Sequence, residues 1–364
     1  MTAVLKRWSD RLLGRGDAAV TTPIFDGALK PDQRLEAAPV VAAFEAPFDI
    51  ATDGTTLYVA DGDRLLAVDA AGSVMSLLAT PGPITALAVL PQGRVALAVG
   101  GREIRVLEGQ RLVRSWKEAA GRALRSVNAL AATPQGGLLA TEGSIAHNVD
   151  QWQRDLLTRG ASGRLLALDP EEAAVREVAG GLHWPFGVLA TGDTMLCSES
   201  WRHRVIDLQG GRARAVLDNL PGYPSRIAPA AGGGCWLTVF AARTQLIEFV
   251  LREPVLRRRM LAEIDPRYWI APAYSSGDSF LEPMQGAGVK QMGVLKPWAP
   301  PRSYGLVVRL DAEGRPLHSL HSRVGGLHHG IVAAAECHGR LYMLSRGSGR
   351  LLALPLSTLS GSLE

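Results

Sequence analysis

The chain has 364 residues, of which 47% are hydrophobic and 6% aromatic, so it can bury a large core made mainly of aliphatic side chains. The net charge of +4 is modest, and the basic residues are scattered apart from one run at Arg257–Arg259. Because no basic stripe is interleaved with aromatic residues, we expect no nucleic-acid partner.

The N-terminal 38 residues are predicted to form an arm. Residues 1–16 place apolar side chains at roughly helical spacing: Val4, Leu5, Trp8, Leu12 and Leu13. Charges interrupt the segment, so it has neither the apolar region of a signal peptide nor the length of a membrane span. Three interpretations stay open: an amphipathic helix on a membrane surface, a helix packed on the main domain, or a frayed end. Residues 21–39 contain three prolines and are expected to be extended.

From residue 50 onward the chain repeats one sequence pattern: an apolar run, a turn that contains glycine and a second apolar run. Six segments carry it: IATDGTTLYVAD from Ile50, LAVLPQGRVALAV from Leu87, LAATPQGGLLATEG from Leu130, VLATGDTMLCSES from Val188, IAPAAGGGCWLTVF from Ile227 and VAAAECHGRLYMLS from Val332. Each run has strand length, and most segments lead into a third strand, such as RLLAVD from Arg64. Three of the five intervals are close to the roughly 40 residues of a four-stranded propeller blade.

These repeats predict an all-β fold, a six-bladed β-propeller over residues 39–358, with blades beginning near residues 47, 83, 125, 184, 223 and 327. One blade cannot bury its own faces, so neighbouring blades must pack in a ring. A β-sandwich also has short strands, but its strands do not repeat a whole three-strand phrase. The segment PVVAAFE at Pro39–Glu45 is a candidate strand that closes the ring by joining the last blade, which hides a sheet edge.

Two insertions interrupt the repeats. One lies in blade 3 at about residues 144–161, where DQWQRDLL has helical spacing, and a longer one lies in blade 5 at about residues 251–303. In the longer one, EPVLRRRMLAEIDPRYWI is predicted to be helical as far as Pro266, and the part rich in Pro, Gly and Ser that follows is predicted to be a loop. A loop of this length is uncommon unless it has a function, so we expect a lid over the site or a surface for a protein partner.

Cysteine usage indicates a reducing compartment. Cys197, Cys235 and Cys337 each lie in or beside a predicted strand, and three widely spaced cysteines do not indicate a disulfide framework. We therefore expect buried, inert thiols and a cytoplasmic protein.

Longer phrases in the chain resemble one family. WPFGVLATGDTMLCSESWRHRVIDL followed by LDNLPGYPSRIAPAAGGGCWLTV resembles the conserved region of strictosidine synthase-like proteins. FDGALKPDQRLEAA, DQWQRDLLTRGASGRLLALDP and RSYGLVVRLDAEGRPLHSLHS agree with it. That family is related to the propellers of gluconolactonase (SMP-30), paraoxonase and adipocyte plasma membrane-associated protein. The resemblance covers about residues 25–356 and implies the same six-bladed fold.

The resemblance also implies a site at the end of the central channel where the innermost strand of each blade begins. The residues at these positions are Phe48, Asp49, Thr85, Asn128, Phe186, Ser225, Arg226, His328 and His329. In the lactonase relatives a Glu, one or more Asn and an Asp hold a divalent metal there, usually calcium, which requires oxygen ligands. Here Phe48, Phe186 and Ser225 stand at ligand positions, and Arg226 adds a positive charge. Only Asn128 keeps its ligand type, so we expect no metal and no other cofactor.

The resemblance places the catalytic glutamate of strictosidine synthase at or about Val332. A valine cannot accept the ring-carbon proton that the Pictet–Spengler condensation releases, so we do not expect a strictosidine synthase. The candidate catalytic residues are His328, His329 and Glu199. The candidate substrate-binding residues are Phe48, Asp49, Asn128, Phe186, Ser225 and Arg226. Structural roles stay open for Glu199 and for the similar Glu142, because arginines such as Arg204 are near in sequence.

Three functions are compatible with these residues. The first is a metal-independent hydrolase or lyase that acts on a small, partly apolar molecule at the channel mouth. The second is a non-catalytic propeller that binds a ligand, or a protein at the blade 5 insertion. The third is a metal-dependent lactonase or esterase, which needs ligands in addition to Asp49 and Asn128. A peripheral membrane contact through residues 1–16 is a further expectation about partners.

Overall fold

Six four-stranded antiparallel sheets form the six blades of a β-propeller in the computed structural model. The structure describes residues 22–192, 194–209, 212–276, 290–291, 294–295 and 303–359. Each innermost strand contacts the innermost strand of the next blade, and the last contacts the first. The prediction of a six-bladed β-propeller is therefore confirmed.

The blades follow one another in chain order, and each runs from an inner strand at the channel to an outer strand at the rim. The strands of blades 1 to 3 are Pro47–Thr52, Leu57–Asp61, Arg64–Val68 and Val74–Ala79; Ile84–Val89, Val95–Val99, Glu103–Glu108 and Arg111–Trp116; and Val127–Ala132, Leu138–Glu142, Gly163–Leu168 and Val175–Leu182. Those of blades 4 to 6 are Pro185–Thr191, Thr194–Glu199, Arg204–Asp207 and Arg214–Leu217; Gly222–Pro229, Cys235–Ala242, Gly305–Leu310 and Pro316–Ser322; and Ile331–Cys337, Arg340–Ser345, Arg350–Pro355 and Val40–Ala43. Two-residue pairs also form between Glu118–Ala119 and Arg122–Ala123 and between Lys290–Gln291 and Val294–Leu295.

In the part of the chain that the structure describes, the helices are few and short. The α-helices are α1 (Trp152–Thr158), α2 (Gln245–Arg252) and α3 (Pro254–Glu263). The 3₁₀ helices are Gly27–Leu29, Pro91–Gly93, Val149–Gln151, Ser200–Arg202, Pro266–Tyr268 and Leu356–Thr358.

The ring is closed by the strand that precedes blade 1. Val40–Ala43 pairs antiparallel with Arg350–Pro355, with Val40 opposite Leu352 and Ala43 opposite Arg350. It thereby supplies the outer strand of blade 6 and covers an edge that would otherwise remain unpaired. The predicted closure by this segment is confirmed.

Burial explains the composition of the strands. Inner strands such as Ile84–Val89 are almost wholly buried, because a neighbouring blade packs on each face, and they are accordingly continuous apolar runs. Space is short near the axis, so alanine and glycine are frequent there. A Cβ on Gly187 would clash with the backbone of Ser225 and Arg226 on the next inner strand. Outer strands such as Val74–Ala79 are largely exposed.

The two ends of the ring differ in their connections. Inner strands begin, and second strands end, at one end, which we call the insertion end; inner strands finish at the other, the turn end. Helix α1 joins the second and third strands of blade 3, and α2 and α3 join those of blade 5. Because antiparallel neighbours reverse direction, both insertions lie at the insertion end. They meet there, with the Trp152 and Tyr274 rings 5.1 Å apart and Gln153 Nε2 donating to the Pro272 carbonyl.

The blade 5 insertion begins earlier than the sequence suggested. The second strand ends at Ala242, and α2 starts at Gln245 rather than near residue 251, with the Thr244 hydroxyl accepting the Ile247 amide as an N-cap. The apolar run LIEFVL reads equally well as the continuation of a strand, which is why this helix was missed. The predicted helix before Pro266 is present as α3 and ends at Glu263.

The described part of the arm is not simply extended. It contains the 3₁₀ turn Gly27–Leu29 and packs on the outer strands of blade 5, where Phe25 stacks on Tyr304 at 5.0 Å. Arg34 Nη2 donates to the Ser319 carbonyl. Residues 1–16, with their proposed membrane contact, lie outside the described residues, as does most of 277–302. No helix in the described part of the chain is long and apolar enough to cross a membrane.

Candidate functional site

One arginine lies at the centre of the ring. Arg226, on the inner strand of blade 5, is 7% exposed and sends its guanidinium across the channel. Nη1 donates to the carbonyls of Phe48 (2.9 Å) and Val332 (3.3 Å), and Nη2 donates to those of Thr85 (2.9 Å) and Asn128 (2.6 Å). These carbonyls belong to blades 1, 6, 2 and 3. A single side chain therefore links five of the six blades through hydrogen bonds.

The carbonyls point at the axis because five of the six inner strands are irregular at the same place. The pairing register shifts at the second residue of the inner strand in blades 1, 2, 3, 4 and 6: Phe48, Thr85, Asn128, Phe186 and Val332. A β-bulge of this kind leaves one residue out of the ladder and redirects its backbone groups. Four of the five bulged carbonyls are the acceptors of Arg226, and the blade 4 member contributes its ring, 5.1 Å from the Arg226 guanidinium carbon.

Asp49 is the counter-ion of this arginine. Its Oδ2 lies 3.1 Å from Arg226 Nε and accepts the Leu87 amide, while Oδ1 accepts the Ile50 amide. Asp49 as a whole is 1% exposed. Burial raises the pKa of Asp49 to about 6, although the Arg226 charge and the two amide hydrogen bonds act in the opposite direction. We call Arg226, Asp49 and the four carbonyls the Arg226 hub.

The residues of the hub do not fit a divalent metal ion. Oxygen atoms surround the position as calcium would require, but a permanent positive charge already occupies their centre and would repel a second cation. In the part of the chain that the structure describes, no group of three or more His, Cys, Asp or Glu side chains is arranged to hold a metal. The donor set at the axis therefore does not support a metal centre of the lactonase type.

A cavity of about 490 Å³ lies on the turn side of the hub. It is walled by the second halves of the six inner strands, and its lining includes Ala51, Ala88, Leu130, Val188, Ile227 and Ala334. Asp49 and Arg226 are its innermost residues, and Thr52, Thr191 and Glu336 mark its outer rim at the strand ends. The cavity is thus mainly apolar, with one ion pair at its inner end.

The insertion end of the channel is covered by aromatic rings. Trp152 of α1 packs on Phe240 and Tyr274, and Phe240 packs on Phe186, with centroid distances of 5.1–5.8 Å. Phe186 therefore lies beneath rings at this end, and neither Phe186 nor Phe48 lines the cavity. Both insertions lie at this end, as expected for a lid, whereas the cavity lies at the other end of the ring.

His328 and His329 do not line the cavity. They lie where blades 5 and 6 meet the arm, and both are nearly fully buried. His329 Nε2 faces the Arg323 carbonyl, which can only accept, so this nitrogen carries the proton and Nδ1 accepts from the Ser303 hydroxyl. The His328 amide is held by Glu36 and Ser322. Burial lowers the pKa of both histidines. This placement does not support them as acid or base of the channel, and their catalytic role stays a prediction.

Glu199 belongs to a motif repeated in three blades. A carboxylate at the end of the second strand pairs with an arginine at the start of the third: Asp61 with Arg64 (2.8 Å), Glu142 with Arg164 (2.6 Å) and Glu199 with Arg204 (2.5 Å). The other carboxylate oxygen accepts a backbone amide just before the inner strand: Ala46, Arg125 and His183, respectively. The motif ties three strands of one blade together at the insertion end. This arrangement agrees with the structural role that the sequence left open for Glu142 and Glu199. Glu199 does not line the cavity.

The remaining polar candidates hold neighbouring strands together. The Ser225 hydroxyl bonds the Thr238 hydroxyl and the Ile331 carbonyl. Asn128 Oδ1 accepts the Thr141 hydroxyl. Neither side chain lines the cavity. Of the proposed substrate-binding residues, the structure brings only Asp49 and Arg226 to the cavity, and it pairs them with each other.

Relatives of the chain are consistent with this architecture. No family model matches it. The chain is 26% identical over 244 residues to the protein Strictosidine synthase-like 6 of Arabidopsis thaliana, covering 66% of this chain and 57% of that protein. It is also 26% identical over 375 residues to the adipocyte plasma membrane-associated protein of Danio rerio, covering 92% and 82%. The chain is a homologue of the strictosidine synthase-like proteins.

Solved structures agree with this fold. A gluconolactonase from Xanthomonas campestris superposes with a TM-score of 0.57 over 87% of this chain and 88% of its own, at 16% identity. At that identity the likeness concerns the fold alone. The resemblance found in the sequence, to strictosidine synthase-like proteins and adipocyte plasma membrane-associated protein, is confirmed, and the propeller fold is shared with the gluconolactonase.

Two features of the molecule were missed from its sequence. The first is the cavity wall, whose Ala, Leu and Val residues are indistinguishable in sequence from core residues. The second is a pocket of about 420 Å³ lined by Arg159, His183, Arg202, His203, Arg243 and Arg252, together with Glu248 and apolar residues. These residues come from four separate segments of the chain, so no local sequence motif indicates the pocket.

Proposed function

We propose that the chain binds a small, partly apolar organic molecule in the central channel, without a metal ion, and that the molecule enters from the turn end. The single observation that carries this proposal is the 490 Å³ cavity that ends at Asp49 and Arg226. Its volume lies in the range of roughly 300–1,000 Å³ that is usual for small-molecule sites.

The chemistry of the wall specifies the ligand class. The lining is predominantly Ala, Leu, Val and Ile, so the buried part of the ligand is apolar. The inner strands are edge strands, so their free backbone groups also face the channel and supply hydrogen bonds. Because the guanidinium of Arg226 is already bound by four carbonyls, it does not serve as the receptor of a fully charged anion.

A hydrolase or lyase is the second candidate, and one observation favours it. Asp49 lines the cavity and has a pKa raised to about 6 by burial, which suits a general acid or base near neutral pH. In this version Asp49 replaces His328, His329 and Glu199 as the proton-transferring group. The gluconolactonase likeness makes lactones and esters the first compounds to try.

The cysteines support a reducing compartment such as the cytoplasm as part of the proposal. Cys197, Cys235 and Cys337 are all free and buried. Burial raises the pKa of Cys197 and Cys235, the latter to about 12, so these thiols are unreactive.

Blocking the rim tests the channel. A panel of small lactones, aryl esters and neutral aromatic compounds is screened by thermal shift, and each stabilising compound is then titrated against two variants. Thr191→Trp places an indole at the cavity rim, where Thr191 is exposed. Val74→Trp places one on the outer strand of blade 1, where Val74 is 46% exposed. We expect binding to be lost in Thr191→Trp and kept in Val74→Trp; equal binding by both would place the ligand elsewhere.

A further inference from the structure

A second pocket lies at the insertion end, away from the channel. It is bounded by the end of α1, by the connection between the second and third strands of blade 4, and by α2. We call it the basic pocket and define it by Arg159, Arg202, Arg243 and Arg252, with His183 and His203 beside them. Glu248 is the one acidic residue in its lining. At neutral pH four guanidinium groups against one carboxylate leave a net charge of +3.

The Glu248 carboxylate already has partners within the pocket. Glu248 Oε1 lies 3.1 Å from Arg243 Nε and 3.5 Å from His203 Nε2. Burial would raise the pKa of Glu248, but the hydrogen bonds from His203 and Arg243 outweigh it and lower that pKa to about 2. Glu248 therefore orients Arg243 and neutralises it. Glu248 forms no ion pair with the other three arginines and does not neutralise their charges.

Three guanidinium groups in the pocket have no anionic partner. Among the described residues, Arg159, Arg202 and Arg252 form no ion pair, in contrast to Arg204 or Arg164 nearby. Arg252 Nη1 is buried and has no hydrogen-bond partner. Burial and the charge of Arg202 both lower the pKa of His183, as expected where cations gather. A buried guanidinium donor without a partner is costly, so the arrangement is suited to an acceptor from outside.

The rest of the lining is apolar. Trp201, Leu156 and Leu251 line the same pocket, and Trp201 is held in place by stacking on Trp184 at 5.4 Å and by donating to Asp155 Oδ1. The pocket therefore combines rigid apolar surface with several cations. Arginine forks match the geometry of carboxylate and phosphate oxygens.

We propose that the basic pocket binds a small organic oxyanion that carries two negative charges, either a phosphate monoester or a dicarboxylate, with its apolar part against Trp201. The charge of +3 fits a dianion better than a single carboxylate. The left-handed conformation of Arg159 (φ 59°) at the end of α1 and of His203 (φ 51°) after Ser200–Arg202 shapes the two loops that present these side chains. The pocket is separate from the channel, so this inference does not rest on the proposed function.

Titration calorimetry on the full chain at pH 8 and constant ionic strength tests the proposal. The probes are phenyl phosphate, phthalate and benzoate, and the variants are Arg202→Ala, Arg252→Ala and the control Arg340→Ala. Arg340 is exposed, begins the second strand of blade 6 and forms no ion pair among the described residues. We expect the unmodified chain to bind phenyl phosphate or phthalate, and benzoate at least tenfold more weakly. Which dianion binds more tightly identifies the source of the oxyanion.

The variants decide whether binding occurs in this pocket. We expect Arg202→Ala to weaken binding at least tenfold and Arg340→Ala to change it less than twofold. Arg202 is exposed, so its substitution preserves the fold even if Arg252→Ala does not, and circular dichroism checks this. Thr191→Trp should leave binding unchanged, which separates this result from the channel test. Absence of binding to the unmodified chain, equal weakening by Arg202→Ala and Arg340→Ala, or equal affinity for benzoate would overturn the proposal.

Discussion

The Arg226 hub and the basic pocket use the same side chain in opposite ways. In the hub, one guanidinium has four carbonyl acceptors and a carboxylate 3.1 Å away. In the basic pocket, four arginines share one carboxylate, and Arg252 keeps a buried donor without a partner. In the hub the protein supplies acceptors to both Nη atoms of Arg226 and a counter-ion beside Nε, whereas Arg252 Nη1 in the pocket has no acceptor.

The difference shows how to distinguish a structural cation from a binding one. Burial and charge alone do not separate them, because both clusters are partly or wholly buried. What separates them is whether the protein itself supplies the acceptors. The hub should therefore contribute mainly to stability, and the pocket mainly to ligand affinity.

The largest effect is expected from Arg226→Met. The substitution leaves the Asp49 carboxylate buried without its counter-ion and four carbonyls without their donor, and breaking such a pair costs about 3–5 kcal/mol. Denaturant unfolding should show a loss of at least this size. Arg202→Met, in the basic pocket, should change stability by less than about 0.5 kcal/mol, as is usual for exposed sites. Similar losses of stability in both variants would contradict the distinction between a structural arginine in the hub and a ligand-binding arginine in the pocket.

A pH dependence should identify Asp49. Its pKa is raised from the ordinary 3.8 to about 6 in the folded chain, so between these values the folded state binds more protons than the unfolded state. Stability from this group is therefore fully present below about pH 4 and falls as the pH rises to 6. Relative to Asp49→Asn, the unmodified chain should lose up to about 3 kcal/mol across this window. If the difference in unfolding free energy between the two proteins did not change with pH, burial would not destabilise the ionised form of Asp49.

The repeated carboxylate–arginine motif allows a matched pair of variants. Glu142→Gln removes the nearer carboxylate of Arg164, which is 2% exposed and keeps Glu177 at 3.6 Å, whereas Glu199→Gln removes the carboxylate partner of Arg204, which is 25% exposed. We expect a loss of about 2–3 kcal/mol for the first and about 1 kcal/mol for the second, because water compensates the more exposed guanidinium. Thermal melts measure both. If Glu199→Gln instead removed turnover at unchanged stability, Glu199 would be catalytic.

The smallest effect is expected from metal removal. Because Arg226 supplies the positive charge at the axis, melts in EDTA and in millimolar calcium should agree to within about 1 °C. A calcium-dependent stabilisation of several degrees would reveal a metal site that the hub does not account for.

Most of the fold was predictable from the sequence, for a physical reason. Each blade needs its own apolar strands and turns. The six repeats and the closing strand at Val40–Ala43 are therefore recognisable from the residue pattern. Helix α2 left no such record, because its apolar face continues the strand that precedes it.

The site was less predictable because its decisive groups are backbone atoms. The bulges that aim the carbonyls of Phe48, Thr85 and Asn128 at the axis depend on pairing register, which no single residue reveals. A carboxylate partner for Arg226 was foreseeable from the cost of burying an unpaired charge. The end of the channel at which the cavity lies could not be foreseen. It depends on how Trp152 and Tyr274, which belong to separate insertions, meet in the fold.

A high-resolution crystal structure of the channel, grown with calcium present, tests the central claim most directly. The account predicts the Arg226 guanidinium at the axis, bonded to the carbonyls of Phe48, Thr85, Asn128 and Val332, with any bound small molecule on the turn side of it. A metal ion roughly 2.3–2.6 Å from those oxygens, with Arg226 turned away, would contradict it.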